Sequence, residues 1–228
     1  MQNDDNSRIM NLYEVGPASI RSKNLLEMIE LILEPKGFDF LRNKNQLGYS
    51  VGVSFYKSYD IYRMTVMVSS QEEKHSAREV YDKMEIFWNE IAKKAIEELS
   101  DEEFENVKTS CIKLLSSDDL ELHQEFYRNW NEIKNLDLAF NRNELSLNNI
   151  KTLTKTDLKE FFASFTNPDN LRKLCIQVIG NRENEGENEG SELKIKFLEE
   201  KWSEDEKIIT SIEEFKKGLV LHQQVKNL

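Results

Sequence analysis

Arg42 and Tyr49 are the side chains of this 228-residue chain best placed to act on a substrate. They lie in Leu41-Arg42-Asn43-Lys44-Asn45-Gln46-Leu47-Gly48-Tyr49-Ser50-Val51, between a strongly apolar segment of helical spacing and a strand. Arg42 is a permanent cation with a fork of donors. Tyr49 opens the strand, so a rigid edge can aim its phenol, and Gly48 before it lets another backbone approach closely. The residues between are polar and turn-forming, which allows cation and phenol to converge on one spot. The same residue types also describe an exposed loop with a surface arginine and a half-buried tyrosine, since loops are usually polar. The surrounding chain has to decide.

It offers little other chemistry. The sequence contains no HxxEH or HExxH, no GxGxxG, no Walker-type loop and no GxSxG elbow. His75, His123 and His222 are scattered, and none has a second ligand at helical spacing. Glu72-Glu73 could form a metal or acid pair, but they read better as solvated residues near a helix start, where negative charge suits the dipole. Cys111 and Cys175 fall in apolar-periodic segments and read as buried thiols in a reducing compartment, which points to the cytoplasm. A formal net charge of -11 argues against binding a phosphate backbone. At 39% hydrophobic and 32% charged residues the composition is that of a water-soluble globular chain. No apolar run approaches the roughly 20 residues that span a bilayer.

The elements that must position Arg42 and Tyr49 follow from periodicity. Arg8 to Val15 alternates weakly and ends at Gly16-Pro17, a strand closed by a turn. Ser22 is expected to cap a helix carrying Leu25, Leu26, Met28, Ile29, Leu31, Ile32 and Leu33, apolar nearly all round and stopped by Pro35. Tyr49, Val51, Val53 and Phe55 share one face of the next strand, and Ser50, Gly52 and Ser54 the other. A turn over Lys57 to Asp60 leads to Tyr62, Met64, Val66 and Val68, completing a hairpin. From Ala77 to Glu98 a long helix is expected with Val80, Met84, Phe87, Trp88, Ile91 and Ala95 inward. Ser100 with Glu103 is a capping-box pattern ahead of Phe104, Val107, Cys111, Leu114 and Leu115. Asp118 or Asp119 is expected to cap a helix with Leu122, Phe126, Trp130 and Ile133, in which Trp130, like Trp88, packs inward. After a looser segment with Leu145, Leu147 and Ile150, Thr154 with Asp157 opens a helix through Leu158, Phe161, Phe162 and Phe165. Leu171 to Gly180 supplies a closing central strand, with Leu174, Ile176 and Val178 on one side. This order predicts an α+β, two-layer sandwich, a mixed β-sheet covered on one face by helices. The expected organisation is a disordered segment 1–7, the α+β domain 8–180, a flexible acidic loop 181–192, and an extension 193–228 that docks on the domain through a short strand, Leu193 to Phe197, and a short helix.

Five separated stretches then share one resemblance. Leu41-Arg42-x-Lys44-x-Gln46-Leu47-Gly48-Tyr49-x-Val51 closely resembles the loop-strand signature of the fourth, C-terminal domain of insulysin-type zinc metallopeptidases of the pitrilysin family. Ser69-Ser70-Gln71-Glu72 is similar to that domain's strand exit, and Ser100-Asp101-Glu102-Glu103-Phe104 to a helix start. Lys151-Thr152-Leu153-Thr154-Lys155-x-Asp157 and Ile212-x-Glu214-Phe215-Lys216-x-Gly218-Leu219 are similar to its later helix entry and its tail. The order is correct over nearly the whole chain. Gly37-Phe38-Asp39 departs from the family's shorter entry to the signature, and the acidic tract from Asn181 has no counterpart.

The resemblance implies a domain that binds no metal of its own. In that family zinc sits on an HxxEH motif in the first domain, and the fourth faces it across a peptide chamber. The signature's arginine and tyrosine reach the substrate at the zinc; carried over, they are Arg42 and Tyr49. The implied partners are peptide substrates and a zinc-bearing N-terminal half in cis or in trans, with a homo-oligomer also open, and neither nucleic acid nor membrane. Because the match starts at the early strand, the chain is expected to be a domain of a longer enzyme, inactive in isolation. The alternative is a stand-alone, non-catalytic homologue acting as a peptide-binding or dimerisation module.

Overall fold

In the computed structural model, residues 5–71, 73–180 and 207–219 are described. They form one antiparallel sheet with helices on one face. The sheet comprises β1 (Asn6–Pro17), β2 (Ser50–Ser58), β3 (Ile61–Gln71) and β4 (Lys173–Val178) in the order β2-β3-β1-β4. The α+β two-layer class is therefore as expected, but every described pairing is antiparallel rather than mixed. β4 lies at an edge of this sheet, not at its centre. β1 starts two residues earlier than its alternation suggested, because Asn6 and Ser7 already pair with Gln71 and Ser70. The acidic loop, the strand Leu193 to Phe197, Glu72 and His222 lie outside the described residues.

Two local devices set the register. Between Glu14 and Gly16 the β1–β3 ladder slips by one residue, and Gly16 sits at φ +124°, a conformation that favours glycine. Ser58 pairs with Ile61, so Tyr59-Asp60 alone makes the hairpin turn, with φ of 51° and 59°. Two left-handed residues in a two-residue turn match the right-handed twist of the strands they join.

The sheet's inner face presents Ile9, Asn11 and Tyr13 from β1 and Met64, Val66 and Val68 from β3, all at 0% exposure. Against it lies α1 (Ile20–Gly37), which also packs on α4 (Asp101–Ser116), α6 (Arg142–Thr152) and α7 (Lys155–Thr166). Its many-sided burial is as expected. Its cap is not: Ser19 takes that position, and Ser22 is the reciprocal partner whose N–H and hydroxyl bond back to it. Asn24, fully buried in α1, donates to the Ser146 carbonyl and the Asn149 side chain of α6. That helix occupies the segment expected to be loose.

The long helix after β3 is α2 (Ala77–Ile86), a π-helical turn Phe87–Ala92, then α3 (Lys93–Glu97). A π turn takes up an extra residue, so the helix face rotates beyond it. Val80, Met84, Phe87 and Trp88 are buried as the spacing demands, but beyond the turn Ala92 and Ile96 are the fully buried residues, while Ile91 and Ala95 pack against the core only partly buried. Trp88 stacks on Tyr13 at 3.8 Å between ring centroids. Burial, with Glu85 nearby, raises the Tyr13 phenol well above its ordinary range.

One expectation of packing fails. On α5 (Leu122–Lys134) the apolar residues stay substantially exposed, Trp130 among them at 47%. On the tail helix α8 (Ile212–Lys217) no residue is buried. No helix among the described residues is long and apolar enough to cross a membrane.

Capping boxes carry a pH signature. The Thr154 N–H and hydroxyl both donate to the Asp157 carboxylate, 2.8 and 2.7 Å, and Arg21 pairs with its other oxygen. These bonds, Thr154's first, hold Asp157 below the usual carboxylate range, as the Ser100 N–H and hydroxyl do for Glu103. A lowered folded value means stabilisation that is present above the unfolded values of about 4 and lost as pH falls through the folded ones. Thr154→Ala should lower stability at neutral pH by about 1 kcal/mol in urea melts. It should also make the acid-side loss shallower than in the parent, and parallel curves would contradict this assignment.

Candidate functional site

The candidate site begins where α1 ends. Pro35 does not stop α1; it sits inside the last turn, which runs to Gly37. Gly37 packs so tightly that a Cβ there would lie 2.6 Å from Val53 Cγ2. Without a break the chain continues as a π-helical segment, Phe38–Lys44. The wider turn takes up one residue more than an α-turn. Arg42 therefore stands on a helical wall rather than in a loop.

The segment then reverses sharply. The Asn45 N–H and side chain both donate to the Phe40 carbonyl, at 3.1 and 2.8 Å. Gln46 adopts φ 53°, and the Leu47 N–H returns to the Leu41 carbonyl at 3.1 Å. Leu41 and Leu47 are buried, at 0% and 1% exposure, so two apolar anchors pin this reversal into the core. Gly48 comes next and passes against β3. A Cβ on Gly48 would lie 1.9 Å from the Ser69 carbonyl oxygen, closer than any real contact. Here only glycine fits, as the sequence indicated.

This geometry brings Arg42 and Tyr49 together. The Arg42 guanidinium donates to the Tyr49 carbonyl. It lies 5.3 Å from the Phe38 ring centroid and 5.2 Å from that of Tyr49. Rings at this range attract the cation through their quadrupoles and restrict its rotamers. Tyr49 itself is 87% exposed and precedes the first ladder pair, Ser50 with Ser69. Its phenol therefore faces water rather than being half-buried. Asp39 is taken by Lys44 at 2.8 Å, and Lys44 holds the Asp39 carboxyl below its usual range. Among the described residues no carboxylate forms an ion pair with Arg42. The result is a pre-oriented cation, paired with no described carboxylate, beside a solvent-facing phenol, both able to donate to an oxygen that gains negative charge.

Phe38 is the member of this group that residue types did not single out. It stands four residues before Arg42 on one helical face, the spacing at which side chains meet. That signal is readable only once the helix is known to continue past Pro35.

The other candidates disperse. His75 pairs with Glu79 and His123 with Glu121, each at the surface. Cys111 is buried and burial pushes its thiol up to about 11, while Cys175 is only partly buried, and neither forms a disulfide. No group of three His, Cys, Asp or Glu among the described residues could hold a metal ion.

Comparison with known proteins gives the family. Residues 28–130 match the family described as PQQ synthase PqqF-like, C-terminal lobe domain 4. Human nardilysin is 32% identical over 188 residues, covering 82% of this chain. The chain is an insulysin-type C-terminal domain. Mouse insulin-degrading enzyme is 26% identical over 228 residues, covering 97% of this chain. The chain spans only 16% of nardilysin and 22% of that second enzyme. The crystal structure of pitrilysin shares the fold at a TM-score of 0.67 and 18% identity, over 83% of this chain and 20% of its own.

Gly48→Ala isolates the role of this insulysin-type backbone. Pushing the strand entry off β3 should cost about 1–3 kcal/mol in urea unfolding, the range for overpacking. An unchanged midpoint would show that the close approach is not needed.

Proposed function

We propose that this domain supplies Arg42 and Tyr49 to the active site of an insulysin-like zinc metalloendopeptidase, lining its peptide chamber while the metal is held elsewhere. The observation that carries this is the clamped guanidinium: fixed by the Tyr49 carbonyl and two rings, unpaired with any described carboxylate, and set beside an exposed phenol. Among the described residues no group of histidines, cysteines and carboxylates fits zinc. When bound to a separate zinc-bearing half, in cis or in trans, the metal would supply the activated water. Arg42 and Tyr49 would bind the peptide and donate to the oxygen that becomes negative as that water attacks. Donors aimed at developing charge lower the barrier more than they strengthen substrate binding. Nardilysin and insulin-degrading enzyme, which the chain resembles over most of its length, support the assignment. Cys111 and Cys175, neither of which forms a disulfide, support a cytoplasmic setting.

Purified 1–228 should hold no stoichiometric zinc by metal analysis and cleave no peptide. In the assembled enzyme, Arg42→Ala and Tyr49→Phe should each lower kcat/KM by about 10²–10³ with zinc content unchanged. Full turnover in both variants would overturn the proposal.

A further inference from the structure

Asp39 stands three residues before Arg42 on the same helical wall. At α-helical spacing a carboxylate and an arginine three apart are neighbours, and such pairs attract. Here they do not pair. The Asp39 carboxylate is held instead by the Lys44 ammonium, five residues further on, at 2.8 Å. The π winding of Phe38–Lys44 decides this, because its i→i+5 bonding brings residues five apart together. Lys44 does most to hold the Asp39 carboxyl below its usual range, a hydrogen bond from Asn43 adds to it, and Arg42 is not among the causes. Lys36, three residues to the other side, acts on Glu103 at the start of α4. The Arg42 guanidinium has its own acceptor in the Tyr49 carbonyl and its rings in Phe38 and Tyr49. Two cations thus share one short segment with one carboxylate, and the winding assigns that carboxylate to Lys44.

We propose that Lys44 is a positioning residue, which occupies Asp39 and so keeps the Arg42 guanidinium available to an incoming peptide. Its charge acts on Asp39, not on the substrate. Without it, an unpaired carboxylate stands three residues from Arg42 and offers that cation a negative partner before any substrate arrives. Such a partner gives Arg42 in the ground state what it should meet only in the transition state, at the oxygen that gains charge. The stabilisation specific to the transition state then falls, and kcat falls with it. The pair is exposed, at 68% for the Lys44 side chain and 51% for Asp39, so the effect is modest and sensitive to salt. The consequence for turnover rests on the active-site role given to Arg42; the hold of Lys44 on Asp39 is testable without it.

The Arg42 side-chain Nε–Hε resonance in purified 1–228, assigned by its loss in Arg42→Ala, tests the contact by NMR. It should shift in Lys44→Gln, and in Lys44→Gln/Asp39→Asn it should lie where Asp39→Asn alone places it. A resonance that Lys44→Gln leaves in place overturns the proposal, and so does a shift that persists when Asp39 is also replaced. Turnover of an internally quenched peptide by the assembled enzyme tests the consequence. Lys44→Gln should lower kcat about two- to fivefold with KM little changed, the span of an exposed ion pair. Added salt should close that gap, and Lys44→Gln/Asp39→Asn should recover the parent's kcat. Neither side chain is buried, so urea midpoints of all three variants should match the parent. A kcat that falls equally with and without Asp39 overturns the proposal, because Lys44 then acts on the peptide directly. A shifted resonance with unchanged turnover leaves the hold of Lys44 on Asp39 standing and overturns the reading of Arg42 as an active-site donor.

Discussion

The main chain at Gly48 runs against the Ser69 carbonyl with no room for a side chain, and the geometry of the site depends on that contact. It fixes where β2 starts, because Ser50 and Ser69 form the first ladder pair immediately beyond it. It also fixes where Tyr49 must stand, one residue before the ladder and outside it. Leu41 and Leu47 hold the other end of the reversal through burial, and the bond between their backbones closes it. With both ends set, Arg42 needs only the Tyr49 carbonyl and two flanking rings to be held in place.

The two π-helical turns serve the same region. Phe38–Lys44 carries Arg42, and Phe87–Ala92 passes beneath it; Phe40 and Phe87 stack at 6.4 Å, and Phe87 also closes on Gly37. Such turns hold an extra residue at some loss of hydrogen-bond geometry and recur at functional positions. In the first, the extra residue lets α1 extend beyond Pro35 and present Phe38 and Arg42 on one face. In the second, the rotation turns Ala92 and Ile96 toward the core, leaving Ile91 and Ala95 at its margin.

Much of this was legible in the residues, and the exceptions have physical reasons. The alternation of β3, the Ser100/Glu103 and Thr154/Asp157 boxes and the buried Val80-Met84-Phe87-Trp88 stripe are local signals, and each stands in the structure. The pairing of Arg42 with Tyr49 was expected from their flanking turn residues and from resemblance. How they pair was not, since a main-chain carbonyl as acceptor leaves no mark in residue type. Pro35 misled because proline usually ends a helix, whereas here the ladder resumes with π spacing. Ser22 misled because two serines three apart are interchangeable as caps until the chain direction is known. Trp130 misled most instructively: periodicity shows that a helix has an apolar face but not which way that face looks.

The way α5 is attached has a consequence for motion. Its C-terminal end is tied down by charge: Glu132 to Arg142, and Arg142 in turn to Asp137 at 2.9 Å, which Lys57 of the hairpin also grips at 2.5 Å. The large side chains of the helix contribute little burial, so its opening would expose little additional apolar surface. Its backbone amides then belong to the part of the molecule that exchanges with solvent through local opening, well below the free energy of global unfolding. Burial holds the sheet and α1 together, whereas ion pairs are what hold the C-terminal end of α5.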